Sequence, residues 1–165
     1  MKFSEARQEF IQIWGSLGSN WGINKAMAQI HALLMATEQS LTTDEIMEEL
    51  QISRSNANLN IRALLDWGLI YRKHTPGDRK EYFVADKDMW NVAIKIIRER
   101  RKREVDQVVK EIRQLSKFDA TSIEEKNFKH LLEEMNALSD LILKMSDLLE
   151  KADKLKFLKW IVKGV

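Results

Sequence analysis

Residues 42–85 have the sequence TTDEIMEELQISRSNANLNIRALLDWGLIYRKHTPGDRKEYFVA. At its start, Thr42 and Glu45 have the spacing of a capping box, which opens a short helix. Ser53 is a residue type that commonly caps a helix, and Gly68 stands where the helix after Ser53 would end. The first part of this stretch therefore predicts two helices joined by a tight turn.

The second part of the stretch predicts a β-hairpin. The runs 69–73 and 81–85 are rich in aromatic and β-branched residues, and they flank a turn that contains Pro76 and Gly77. Two helices, a tight turn between them and a hairpin afterwards form the outline of a winged helix-turn-helix. In that arrangement the second helix enters the major groove of DNA and the hairpin is the wing.

Helical spacing of apolar residues also continues upstream. A stripe from Phe3 to Leu17 predicts a first helix, and a second is predicted at about 24–37. Between them, residues 15–22 contain three of the six glycines, and glycine is unfavourable inside a helix. We expect a flexible loop there.

Downstream of Asp86 the helical spacing returns, interrupted by the charged run 98–104. Ser122 and Glu125 then have the spacing of another capping box. The long helix that follows has apolar residues at alternating intervals of three and four, which predicts a coiled-coil seam that needs a partner helix. The seam consists of Phe128, Leu131, Met135, Leu138, Ile142, Met145, Leu149 and Ala152.

Together these patterns predict a mostly α protein with a small β-hairpin: a winged helix-turn-helix with long flanking dimerisation helices. The expected domains are an N-terminal dimerisation helix at 1–19, a DNA-binding domain at 20–90 and a helical dimerisation region at 91–165.

The composition excludes several classes of protein. A chain with 44% hydrophobic and 32% charged residues is not expected to be disordered, and no apolar run approaches the roughly 20 residues of a membrane span. Because cysteine is absent, disulfides and thiolate chemistry are excluded. The first residues lack the apolar core of a secretory signal, so we expect a cytoplasmic protein.

The net charge of +2 hides an uneven distribution. Residues 51–80 carry six lysines and arginines against two acids, whereas residues 41–50 carry four acids and no base. DNA phosphates attract the first segment and repel the second. We therefore expect the second helix and the hairpin to form a basic face for duplex DNA, with the acidic helix turned away from it.

The polar and basic side chains of that face are the candidate DNA-binding residues. Serine, asparagine and arginine can bond to base edges and phosphates, and an arginine at the wing tip suits a narrow minor groove. Asp78 is expected to hold the wing turn, or its arginine, by hydrogen bonds. The set is Ser53, Arg54, Ser55, Asn56, Asn58 and Arg62 on the helix, and Lys73, His74, Asp78, Arg79 and Lys80 on the wing.

Each of these residues also has an ordinary structural explanation, since Ser53 would cap a helix whatever the function is. Winged helices bind proteins as well as DNA. A winged-helix and coiled-coil module for protein–protein interaction, without DNA binding, is the alternative that the residues leave open.

The details of the stretch resemble the MarR superfamily of winged helix-turn-helix regulators, and within it the GbsR-type branch. In residues 52–70, the Ser-x-x-Asn start, the Asn-Leu/Ile-Arg centre and the Trp-Gly end are similar to that branch. The wing sequence GDRKEYF at 77–83 is similar to its Gly-Asp-Arg-Lys-x-aromatic-aromatic pattern. The resemblance covers roughly residues 10–115 and is specific from 42 to 90.

The resemblance implies a homodimeric bacterial transcription regulator that binds a pseudo-palindromic operator, with repression as the expected effect. Leu59 and Asn60 depart from the superfamily, which often has arginine or another polar residue near the first of these, so base preference does not carry over. By position, the residues that would face the major groove are Ser55, Asn56, Asn58 and Arg62, and those of the wing tip are Asp78 and Arg79.

Five tryptophans raise the question of a small effector. The GbsR-type branch includes sensors of osmoprotectants such as choline, and aromatic rings hold quaternary ammonium groups by cation–π attraction. The candidate effector-binding residues are Trp14, Trp21 and Trp90. A structural role is the stronger interpretation, because Trp14 and Trp90 fall on apolar stripes.

No residues point to catalysis, to a cofactor or to a metal. The three histidines, His31, His74 and His130, lie on separate predicted elements, and no nucleophile has a base at a useful spacing. The chain is therefore not expected to be an enzyme.

Two charged segments have competing interpretations. The run 98–104 favours a solvated helix face, and its rivals are phosphate contact and a charged joint between domains. The amphipathic segment 155–165 is expected to clasp the dimer rather than to bind a membrane surface.

Overall fold

The computed structural model describes residues 1–20, 23–74 and 76–154. Most of them are helical and three short strands form one antiparallel sheet, which confirms the predicted fold class. The chain divides between Val92 and Ala93 into two compact units. In chain order the elements are α1 (Phe3–Asn20), α2 (Lys25–Met35), β1 (Leu41–Thr42), α3 (Thr43–Leu50), α4 (Arg54–Asp66), β2 (Ile70–Lys73), β3 (Tyr82–Ala85), α5 (Met89–Arg100), a π-helical turn (Arg101–Val105), α6 (Asp106–Leu115) and α7 (Ile123–Lys154).

The helix-turn-helix begins and ends at the residues that its sequence predicts. The Thr42 hydroxyl accepts from the backbone N–H of Glu45 at 3.3 Å, and the Glu45 carboxylate accepts from the Thr42 N–H at 2.7 Å. Ser53 caps α4 by accepting from the Asn56 N–H at 3.3 Å. After α4, Gly68 has φ +66°, the left-handed conformation that commonly ends a helix.

The core of the first unit is built around α2. This helix packs against α1, α3, α4 and β3, and its inward side chains are almost completely removed from solvent. Burial of this apolar surface is the main force that holds the winged helix together. The fully buried side chains around α2 include Ile30, Leu33, Leu34, Ile46, Leu64, Ile70 and Val92.

The structure corrects the expected loop over residues 15–20, because α1 continues unbroken to Asn20, while residues 21 and 22 lie outside the described residues. Its two inner glycines lie against α2 at very close range. A Cβ atom on Gly18 would lie 2.6 Å from the Ala28 Cβ, and one on Gly15 would lie 2.6 Å from the Gln29 Cγ. Glycine therefore occurs here because two helices approach each other closely, and not because the chain turns.

The strands have the order β1–β3–β2, with β3 in the centre. In the predicted hairpin, Ile70 lies opposite Ala85 and Lys73 lies opposite Tyr82. β1 adds a third strand, in which Leu41 pairs with Phe83. A strand of two residues is too short to show alternating hydrophobicity, so the sequence did not predict it.

In the second unit, the charged run 98–104 does not end the helix. The chain passes from α5 through the π-helical turn into α6. Side chains in the run pair with each other, as in Arg100–Glu104 at 2.9 Å and Arg103–Glu99 at 3.7 Å. This pairing is typical of a solvated helix face.

α6 and α7 form an antiparallel helix pair. Arg101, just before α6, pairs with Asp147 at 2.6 Å, and Arg113 near the end of α6 pairs with Asp140. Val109 of α6 is one of the buried side chains of this unit. None of the described helices is long and apolar enough to cross a bilayer.

The predicted seam of α7 is left open to solvent. Its side chains from Phe128 to Met145 are between 41% and 59% exposed. Leu141 and Leu148 are exposed as well and widen the apolar face. The side chains of Leu149 and Ala152, the whole of Trp21 and the segment 155–165 lie outside the described residues.

Candidate nucleic-acid interface

One face of α4 is exposed and polar, and the other is buried. The buried stripe, which includes Ala57, Ile61 and Leu64, packs against the core. Because these residues are three or four apart, they lie on one side of the helix and the polar residues lie on the other. The exposed face, including the cap, consists of Ser53, Arg54, Ser55, Asn58, Leu59, Arg62 and Asp66.

The two arginines of this face have different surroundings. Arg54 is paired with Asp44 of the acidic helix α3, so its charge is partly compensated. Among the described residues, Arg62 has no acidic partner. Arg62 is therefore the guanidinium of α4 that is available to a phosphate or a base.

Asn56 is half-buried, and its amide is oriented by a residue that the sequence did not mark as important. The Nδ2 of Asn60 donates to the Asn56 backbone carbonyl at 2.8 Å and to the Asn56 Oδ1 at 2.6 Å. Because a carbonyl oxygen can only accept, these two bonds identify the nitrogen of the Asn60 amide and the oxygen of the Asn56 amide. The Asn56 Oδ1 thus accepts from Asn60, and the Asn56 Nδ2 is the donor end of this half-buried amide. Asn60 itself is only 3% exposed, and the polar residue at a buried helix position was the signal that could have revealed it.

The wing is held in shape by Asp78. Its carboxylate accepts from the Lys80 backbone N–H at 2.9 Å and from the Tyr82 hydroxyl at 2.7 Å. These hydrogen bonds, the Lys80 bond first, lower the pKa of Asp78, and the bond to Asp78 raises the pKa of Tyr82. Gly77 has φ +84° at the turn. Asp78 therefore holds the wing turn, one of the two roles expected from the sequence.

The candidate polar side chains of the wing are exposed on both sides of its turn: Lys73 and His74 before it, Arg79 and Lys80 after it. Arg72 is neutralised by Glu81 at 3.3 Å. Arg79 has no acidic partner within the part of the chain that the structure describes. Arg62 on the helix and Arg79 on the wing are thus the two uncompensated guanidiniums of the candidate surface.

The candidate effector residues are not brought together by any contact among the described residues. The Trp14 ring packs against Phe10 and His31, with centroids 5.7 and 6.1 Å away. Trp90 lies in the first turn of α5, and its indole N–H is buried without a hydrogen-bond partner. No cluster of three or more potential metal ligands occurs in residues 1–20, 23–74 and 76–154.

Comparison with known proteins agrees with this architecture. Residues 23–81 match the MarR family, which covers α2 through the wing turn. The winged helix-turn-helix of this chain is therefore similar to that of the MarR family over these residues.

Two individual proteins are similar. The HTH-type transcriptional repressor GbsR of Bacillus subtilis (strain 168) is 29% identical over 70 residues, which are 42% of this chain and 38% of GbsR. The match thus spans little more than a third of the relative's length, and it confirms the resemblance to the GbsR-type branch. A crystal structure of a transcriptional regulator has a TM-score of 0.68 at 19% identity and covers 90% of this chain and 99% of that one. At this identity the likeness supports the fold alone.

Proposed function

We propose that this chain is a sequence-specific, duplex-DNA-binding transcription regulator that acts as a homodimeric repressor in the cytoplasm. The observation that carries the proposal is the pair of uncompensated arginines, Arg62 and Arg79, on the two elements that a winged helix-turn-helix uses to contact DNA. The match to the MarR family supports it, and repression is carried over from the description of GbsR.

The proposed complex places α4 in the major groove and the wing over the adjacent minor groove. Ser55, Asn56, Asn58 and Arg62 meet base edges and phosphates, while Arg79 enters the narrower groove. The hydrogen bonds of Asp78 support this arrangement, since they hold the wing turn before DNA arrives. A preformed wing loses less conformational entropy on binding.

Homodimerisation is the second part of the proposal, and the exposed apolar seam of α7 supports it. The seam side chains have heptad spacing and remain 41–59% exposed in one chain. Covering them with a second copy would remove apolar surface from water, which favours association. Two copies would present two α4 helices to half-sites about 34–36 Å apart, or one turn of B-DNA.

The proposal is tested by fluorescence anisotropy with a duplex from the gene's own upstream region, titrated at several salt concentrations beside a scrambled duplex. We expect the upstream duplex to bind more tightly and both affinities to fall steeply with salt, because binding releases counterions from phosphates. If neither duplex binds even at low salt, the protein-interaction module becomes the better description.

Point variants separate DNA contact from a general effect of charge. Arg62→Ala and Arg79→Ala should each weaken binding and reduce the salt slope by about one ion per lost phosphate contact. Lys126→Ala, which removes an exposed cation from α7, is the matched control and should leave both quantities unchanged. Equal losses in all three variants would contradict a specific surface on α4 and the wing.

Control by a small effector such as an osmoprotectant is the third part of the proposal, and of the two candidate tryptophans among the described residues, Trp90 supports it better than Trp14. The buried, unpartnered indole N–H of Trp90 would gain a hydrogen bond from an acceptor such as the carboxylate of betaine. Betaine should therefore quench tryptophan fluorescence in the wild-type protein, with less quenching in Trp90→Phe. A flat titration of both betaine and choline to millimolar concentration would remove this part of the proposal.

A further inference from the structure

Leu59 is exposed at a place where leucine has no packing role. It is 66% exposed, and it is the one exposed large hydrophobic side chain between Lys25 and Ile70, a range that the structure describes in full. The stripe that anchors α4 to the core is provided by Ala57, Ile61 and Leu64 instead. Stability of the fold therefore does not explain Leu59.

The position of Leu59 within α4 does suggest an explanation. Ser55 lies one turn before it, Arg62 one turn after it, and Asn58 beside it on the same exposed face. Leu59 is thus an isolated apolar side chain at the centre of polar groups. A protein-docking surface would instead need a contiguous apolar patch.

The major groove contains an apolar group that fits such a residue. Base edges there present nitrogen and oxygen donors and acceptors, with one exception, the C5-methyl group of thymine. An apolar side chain between polar ones complements a thymine methyl between polar base edges.

We propose that Leu59 contacts the C5-methyl group of a thymine, so that each half-site contains a T·A pair beneath the centre of α4. This inference rests on the proposed DNA-binding function and adds a specificity-determining residue to it. It assigns the apolar contact to Leu59 and leaves polar contacts to Ser55, Asn58 and Arg62.

The experiment begins with a duplex selected for tight binding from a random pool. Each thymine in turn is replaced by uracil, which removes the methyl group and keeps every Watson–Crick and groove hydrogen-bonding atom. Loss of one buried methyl contact should weaken binding about fourfold at one thymine in each half-site. Uracil at the other thymines should have little effect.

Leu59→Ala completes a double-mutant cycle with the base. Alanine retains helix propensity but is too short to reach the methyl group, so the variant should bind thymine and uracil duplexes equally at the sensitive position. Circular dichroism and the oligomeric state should match those of the wild-type protein, because the side chain is exposed.

The outcomes distinguish this inference from the proposed function. Coupling between Leu59 and the thymine methyl supports it. If the uracil and alanine losses simply add, or if no thymine is sensitive in a duplex that binds specifically, the inference is wrong while the proposed function stands. If no duplex is selected at all, both are overturned.

Discussion

At the scale of single residues, Asn60 shows how a buried side chain orients a half-buried one. Its two hydrogen bonds engage the backbone carbonyl and the Oδ1 of Asn56, so the Asn56 Nδ2 is the donor that remains. Asn56 can then donate to guanine O6 or N7, to thymine O4 or to a phosphate. Because the Asn56 Oδ1 already accepts from Asn60, we expect a single donor contact from Nδ2 in the proposed complex rather than the bidentate contact with adenine.

Asn60→Ala should therefore reduce both stability and DNA binding. We expect the free energy of unfolding to fall by about 1 kcal/mol, since the bonds to Asn56 are lost, and DNA affinity to fall severalfold because the Asn56 amide is free to rotate. Denaturant unfolding and fluorescence anisotropy measure the two effects.

Asn58→Ala is the comparison for that prediction. Asn58 is exposed on the same helix, so its replacement should lower affinity and leave stability unchanged. An Asn60→Ala protein with reduced stability but wild-type DNA binding would show that Asn60 is structural only.

At the scale of elements, the close contact between α1 and α2 predicts that replacing its two glycines by alanine has different effects on stability. The Cβ of Gly18→Ala would meet the Ala28 Cβ, which is fixed to a helix, whereas the Cβ of Gly15→Ala would meet the flexible Gln29 side chain. We expect Gly18→Ala to destabilise the protein by about 1–3 kcal/mol. Gly15→Ala should cost less than Gly18→Ala, because the Gln29 side chain can rotate away and alanine favours helix.

Thermal and denaturant unfolding test the difference between the two glycine variants. The double variant Gly18→Ala with Ala28→Gly restores the space and should recover part of the lost stability. Equal effects of the two single variants would mean that the helices adjust their separation freely.

The start of α7 gives a pH-dependent prediction. Backbone N–H groups of Ser122 and Thr121, together with the Thr121 hydroxyl, lower the pKa of Glu125 from its usual 4.5 to about 2. Because the folded pKa is depressed, the stabilisation is fully present above about pH 4.5 and is lost as pH falls towards 2. Wild-type protein should therefore be more stable than Glu125→Gln at pH 6, and the difference should shrink below pH 4.5.

Glutamine suits this test because it keeps an accepting oxygen and removes only the charge. The stability difference is measured as the shift in urea midpoint across the pH series. Glu124→Gln, which removes a neighbouring charge from the same helical turn, is the control. A wild-type advantage over Glu125→Gln that does not change with pH would contradict the assigned role of the carboxylate.

The sequence predicted those elements whose signals are local. The capping boxes at Thr42 and Ser122, the Ser53 cap and the hairpin each depend on residues a few positions apart, and all are present. The course of α1 through its glycines depends on packing against α2, and the strand β1 depends on pairing with β3; periodicity within one element identifies neither partner. The same applies within the candidate site, where Arg54 is compensated by Asp44 of another helix.

At the scale of the whole molecule, the exposed apolar seam of α7 is the feature that favours association with a second chain. Leu138 lies on it and is 59% exposed. Leu138→Lys places a charge in the seam and should shift the protein from dimer to monomer in sedimentation equilibrium. DNA affinity should then fall about tenfold or more, because the two half-sites are no longer bound together.

The lysine variant is informative because added positive charge alone would strengthen binding to phosphate. Glu133→Lys also adds positive charge at an exposed site on α7, off the seam, and should remain dimeric. A dimeric Leu138→Lys protein would show that the two chains meet at another surface.

If the wing contacts DNA as proposed, the end of the β2–β3 ladder sets the length of DNA that the wing can reach. The last ladder pair is Lys73 with Tyr82, and eight residues, 74–81, extend beyond it. At about 3.3 Å per residue, four outgoing residues reach no further than about 13 Å, the length of roughly four base-pair steps. In the proposed complex, minor-groove positions further than that from the end of the sheet lie beyond the wing, so the hairpin limits the part of each half-site that the wing can read, while α4 reads the rest.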